Sequence, residues 1–176
     1  MSDRVLRAYQ KLGAHYASGV DAKPIHRYYE RPAMLSLVGS VEGKRFLEPG
    51  PASGFYTETF TNRGADVIAF DIVPDLVAHV KRRVGDRATV LVADLHDPFG
   101  VRLLEDRWTA DRVEVHFYRR PLQAMIAPLL QGGFVLTDLV EPRPTNPEEY
   151  REQAPEEYRR LQTQPWFLCI KAMKPS

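Results

Sequence analysis

The sequence predicts an α/β fold, a three-layer sandwich built on a parallel sheet, and three observations carry that reading. From Lys44 short apolar runs alternate with amphipathic stretches: KRFLE, FYTETFTNRG, ADVIAFD, PDLVAHVKRRVG and ATVLVAD. Strands joined by helices must run parallel, because a helical crossover returns the chain to the same end of the sheet. VIAF and VLV are almost continuously apolar, as strands covered on both faces are. Finally, 176 residues suit one domain with a substantial core.

The elements follow in order. Val5, Leu6, Tyr9, Leu12 and Tyr16 share one helical face before Gly19 and Asp21 interrupt it. A second helix is expected over 25–38, with Pro32 either opening or kinking it. Residues 1–40 thus read as an N-terminal helical cap, and 41–176 as the core of the same single domain. Three parallel strands follow, after which the rhythm fails. Residues 95–120 offer one convincing strand, VEVHFY, and no complete strand-helix-strand unit. PLQAMIAPLLQGG is expected to be a helix opened by Pro121, bent at Pro128 and stopped by Gly132 and Gly133. FVLTDLVE reads as a strand, PEEYREQAPEEYRRLQ as one charged surface helix and WFLCIKAM as the last strand. The second PEEY reads as a coincidence of helix surface, since two copies eight residues apart do not make a repeat.

Composition excludes several function classes. Lys and Arg number 24 against 23 Asp and Glu, so no bulk field attracts nucleic acid or an anionic membrane. The only cysteine, Cys169, lies in the apolar run WFLCI and reads as a buried hydrophobe, which leaves no disulfide framework and no cysteine metal set. The first residues lack the apolar core of a signal peptide and no segment approaches a membrane span. A soluble, cytoplasmic protein is expected, with no metal.

The candidate site lies at the strand tips. Ligands of open parallel sheets bind beyond the carboxyl ends of the strands, and three strands here end in an acid: Glu48, Asp71 and Asp94. Glu48 is followed by Gly50, Ser53 and Gly54 leading into a helix, whose N-terminus favours a negative group. Asp71 comes roughly twenty residues on, the spacing of an acid that accepts hydrogen bonds from ribose hydroxyls. Each acid has a plainer reading as a cap or turn residue. The three together are more specific than any one.

These residues resemble the class I S-adenosylmethionine (SAM)-dependent methyltransferases, particularly the small-molecule type with a helical cap. The resemblance runs from AYQKLGAHY and YYERPAML through EPGPASGFYTE, AFDI and VADLHDP to FYRRPLQAMIAPLLQGGFVL, LVEPRP and PWFLCIKA. It implies a Rossmann-like fold and S-adenosyl-L-methionine as cofactor. Glu48, Gly50 and Gly54 would then meet the methionine moiety, Asp71 the ribose and Asp94 the adenine amino group. Ile72 would flank the adenine, while Tyr9, Tyr16 and Tyr28 would line the cap. Arg119 is a candidate for orienting an anionic substrate or the cofactor carboxylate, and His26 and His116 are candidate bases.

Two departures from the family pattern keep alternatives open. Ala52 replaces the middle glycine, between Pro49, Pro51 and Gly54; its Cβ sits where glycine permits close approach or positive φ. Between about residues 99 and 108 the family's fourth strand, following helix and fifth strand are missing, which truncates the sheet in its middle. The strand carrying RFLE is then expected at an edge, or paired with FVLTDLVE or WFLCIKAM. An open apolar edge invites a second chain, so a homodimer, with or without swapped elements, is expected. The leading reading is a methyltransferase acting on a small molecule. Its rivals are a repurposed fold catalysing a non-methylating reaction of isomerase or cyclase type, and a noncatalytic binding or assembly partner.

Overall fold

The computed structural model describes residues 3–93, 104–110, 113–119 and 121–175. Contacts gather them into two units, Met1–Asp21 with Val41–Arg119, and Ala22–Ser40 with Arg120–Ser176.

The first unit carries helix α1 (Asp3–Gly19) and a parallel sheet of β1 (Arg45–Pro49), β2 (Asp66–Asp71) and β3 (Thr89–Val92) in the order β1-β2-β3. Among the described residues β1 therefore pairs on one side only. Helices α3 (Phe55–Asn62) and α4 (Pro74–Val84) make the crossovers. Strand alternation sends Val67, Ala69 and Val90 to one buried face, where Ala69 and Val90 pack with Val77, Val80 and Val84 of α4 in an aliphatic core. The opposite face presents Leu47, Ile68 and Leu91, which stay exposed. Helix α1 packs on α4, with Ala17 buried against Val73 and Leu76.

Strands β4 (Leu104–Ala110) and β5 (Val113–Arg119) form an antiparallel hairpin paired from Leu104↔Arg119 to Ala110↔Val113. VEVHFY is the expected strand, but its partner LEDRWTA is an addition. Glu105, Asp106 and Arg107 in succession give it no apolar alternation to recognise.

In the second unit a helical run passes through a π turn, His26–Glu30, into α2 (Arg31–Val38). Pro32 explains the turn. It lacks an N–H and would clash with the carbonyl of Tyr28, four residues back. The wider turn moves the bonding to Arg31 N–H→His26 O, and the freed Tyr28 carbonyl accepts from the N–H (2.5 Å) and Oγ1 (3.0 Å) of Thr145. Helix α5 (Leu122–Gln131) continues through Pro128 and ends before Gly132, and β6 (Val135–Val140) pairs antiparallel with β7 (Cys169–Met173). The expected last strand is shorter than WFLCIKAM, because Trp166, Phe167 and Leu168 stay outside the ladder.

The charged stretch after β6 is two helices rather than one, α6 (Pro147–Gln153) and α7 (Pro155–Leu161). Ala154, preceding Pro155, is driven out of helical geometry to φ −147 and ψ 69. Each PEEY opens a helix, with Pro in the first turn and acids at the positive end of the dipole. The break lets Tyr150 of the first copy donate to Glu157 of the second at 2.5 Å. Tyr28, Tyr29, Tyr150 and Leu161 form this unit's core, and Cys169 is buried as expected.

Candidate functional site

The loop between β1 and α3 has an alternating backbone. Gly50, Ala52 and Gly54 take φ of 69, 50 and 77 degrees, with Pro51 and Ser53 between them. Gly50 N–H bonds the Phe70 carbonyl at 2.9 Å, extending the β1-β2 ladder into the loop, and Gly54 N–H closes a turn onto the Pro51 carbonyl at 2.7 Å. For Gly50 and Gly54 this backbone is accessible at little cost, whereas at Ala52 the left-handed region costs about 1–2 kcal/mol. Positive φ is the requirement for which a glycine is expected at 52, and alanine meets it here with its methyl in place.

Below the loop lies a cavity of about 280 Å³ lined by Tyr9, Leu12, Gly13, Gly50, Ala52, Asp71, Ile72, Val73 and Leu76. That is close to the smallest volume typical of small-ligand sites. Helix α1 supplies Tyr9, Leu12 and Gly13, which share a face by their three- and four-residue spacing. The β1-α3 loop supplies Gly50 and Ala52, and the tip of β2 and the start of α4 supply the rest. The walls are aliphatic and aromatic, with Asp71 the one carboxylate and no cationic side chain among the described lining residues.

Burial pushes the Asp71 carboxyl above its ordinary value, partly opposed by the N–H groups of Val73 (2.9 Å to Oδ1) and Ile72. Burial, and secondarily the charge of Asp71, also raises the Tyr9 hydroxyl, so Tyr9 stays protonated and available as a donor. A flat apolar ring carrying neighbouring hydroxyls suits these walls. A strongly anionic group does not.

The structure brings together Tyr9, Gly50, Asp71 and Ile72 of the sequence-derived candidates. Glu48 ends on the same edge of the sheet but is absent from the cavity lining, and its Oε2 accepts from the buried Thr57 Oγ1 at 2.7 Å. Burial raises its carboxyl, with the Thr57 bond acting against the shift. Gly54 is placed by packing, since a Cβ there would lie 3.1 Å from Val80 Cγ1. Tyr28 and His26 belong to the second unit. Tyr28 donates to Glu149, and His26 Nδ1 lies 3.3 Å from Glu30 Oε2. Asp94 lies outside the described residues, as do the side chains of Tyr16, His116 and Arg119. Sequence reasoning missed Leu12, Gly13, Val73 and Leu76 as lining; the α1 periodicity that selected Tyr9 also points to Leu12 and Gly13. No group of acids, histidines and cysteine able to hold a metal occurs among the described residues.

No family model and no curated protein matches the chain. Solved structures do. A chain from Listeria monocytogenes assigned to the S-adenosylmethionine-dependent methyltransferases superposes with a TM-score of 0.66 at 14% identity, over 84% of this chain and 97% of that one. An S-adenosylmethionine-dependent methyltransferase from Mesorhizobium loti gives 0.61 at 18% identity, over 81% and 96%. DhpI in its complex with SAM and HEP gives 0.54 at 14%, over 80% and 94%. At such identities the likeness is one of fold, and by that measure the chain has the Rossmann-like fold of the SAM-dependent methyltransferases, in a small form with a short sheet.

Proposed function

We propose that the protein is a SAM-dependent methyltransferase acting on a small molecule. One observation carries the reading: Asp71, at the tip of the second strand, opens into the same cavity as the β1-α3 loop and Tyr9 of the preceding helix. A carboxylate held by the N–H groups of Val73 and Ile72 still keeps lone pairs for the two hydroxyls of a ribose. Ile72 and Leu76 offer aliphatic surface to an adenine, and Tyr9 closes that side. Gly50 and Ala52 would meet the methionine moiety, and the Ala52 methyl would narrow its approach. Once bound, the sulfonium supplies an electrophilic methyl group whose departure leaves a neutral thioether. The protein's task is then to hold the acceptor in line with the transferring methyl and to exclude water. A base is needed only for an acceptor that loses a proton, and His26 and His116 remain the candidates.

The test is isothermal titration of SAM and its demethylated product into the wild-type protein and Asp71→Ala. Micromolar binding is expected, weakened at least about tenfold by the substitution, as for loss of hydrogen bonds to a charged group. No heat at millimolar ligand overturns the reading. Two rivals would then stand: a repurposed fold with non-methylating chemistry, favoured by Ala52 and the amide-less Pro51 in the loop, and a noncatalytic binding partner, favoured by a β1 strand that is paired on one side only among the described residues.

A further inference from the structure

Four elements distant in sequence meet at one guanidinium. Arg83, near the end of α4, donates from Nη1 to Asp21 Oδ2 at 2.5 Å and to the Ser53 carbonyl at 3.0 Å. Its Nε and Nη2 reach Glu58 Oε2 of α3 at 2.9 and 2.8 Å. Ser53 Oγ donates to the other oxygen of Asp21 at 2.7 Å, so both carboxylate oxygens are engaged. Ser53 is buried, and the Arg83 and Asp21 side chains are only 22% and 34% exposed, a setting in which charge-assisted bonds are stronger than on an open surface.

The position of this cluster gives it a consequence for the cavity. Ser53 lies between the two left-handed residues Ala52 and Gly54, and Arg83 and Asp21 hold it by its carbonyl and its hydroxyl. Asp21 sits in the 3₁₀ turn that directly continues α1, the helix that lines the cavity with Tyr9, Leu12 and Gly13. One carboxylate thereby ties the helical wall of the cavity to its loop wall. Strained backbone persists where its surroundings over-determine it, and the strain here is at Ala52.

We infer that Asp21, Ser53 and Arg83 form a clamp that positions the ligand-binding loop, imposing through side chains the left-handed turn that a glycine at 52 would adopt unaided. These are positioning residues, since none of them lines the cavity. The clamp's effect on ligand affinity rests on the reading of the cavity as a SAM site; its effect on the loop does not.

Two readouts separate these parts. In the ligand-free protein, hydrogen exchange of the Gly54 amide, which closes the turn onto Pro51, reports the loop. Asp21→Asn is expected to accelerate it about tenfold, as for loss of a charge-assisted bond, with Ser53→Ala acting in the same direction. Adding Ala52→Gly to Asp21→Asn should restore protection, because glycine needs no clamp to hold positive φ. Titration of the demethylated product should follow the same order, weaker for Asp21→Asn and recovered in the double variant. Unchanged Gly54 exchange in both single variants, or a loss that Ala52→Gly does not recover, overturns the clamp. Absence of binding to the wild type overturns the SAM reading instead, and the exchange measurement still decides the clamp.

Discussion

Glu48 shows how a single buried acid couples the strand tips to pH. Burial holds its folded pKa above the ordinary glutamate value, so the folded state keeps its proton more tightly than the unfolded chain does. The contribution to stability is therefore largest at low pH and is lost as pH rises through the raised folded value. Glu48→Gln, which retains an acceptor for Thr57, is expected to be more stable than wild type at pH 7.5. The difference should close as pH falls toward 4.5, read from urea unfolding midpoints. Asp71 follows the same sign for the free protein, and its ligand dependence runs the other way: donors require the ionised form, so affinity for SAM should rise as pH rises through the elevated Asp71 value and then level off. A pH-independent affinity would detach Asp71 from the ligand. Gly54 supplies a third residue-scale test. Gly54→Ala combines a left-handed backbone with a Cβ 3.1 Å from Val80 Cγ1, and should lower unfolding free energy by roughly 2–4 kcal/mol in denaturant titrations.

At the scale of elements, prolines decide where helices bend and stop. Pro32 widens a turn that Thr145 then satisfies, and Pro155 divides α6 from α7 so that Tyr150 reaches Glu157. Tyr150 is fully buried, and burial, reinforced by Glu157, drives its hydroxyl far above the ordinary tyrosine value. Tyr150→Phe leaves the ring in place and removes the bond, with an expected loss of about 1–3 kcal/mol in urea unfolding. Much of this level was legible. The three parallel strands, α1 and the glycine-stopped α5 follow from apolar spacing and breakers. The hairpin partner LEDRWTA was not legible, because its pairing is satisfied by backbone bonds with β5 while its side chains carry no two-residue rhythm.

At the scale of the molecule, the parallel sheet has one helix-covered face and one that leaves Leu47 68% exposed, on a strand that among the described residues is paired on one side only. Such an edge is a template for another chain, and the expected homodimer stands as a proposal on that ground. Light scattering behind size exclusion should give a dimer at micromolar concentration, with Leu47→Lys shifting it to monomer; a wild-type monomer throughout would remove the proposal. No helix among the described residues is long and apolar enough to cross a membrane, which agrees with a charge-balanced chain that has no extended apolar run.

The sequence by itself determined the α/β class, the parallel sense of its first three strands and the candidacy of Asp71, because periodicity and strand-end acids are local properties that a chain displays before it folds. It also carried the loop's oddity, an alanine where positive φ is required. Only the tertiary structure decided which candidates share a cavity, that Glu48 is engaged by Thr57, and that Asp21, Ser53 and Arg83 converge. Those residues are separated by about thirty positions each, and no local pattern marks a contact that exists only once three helices and a loop are packed around one guanidinium.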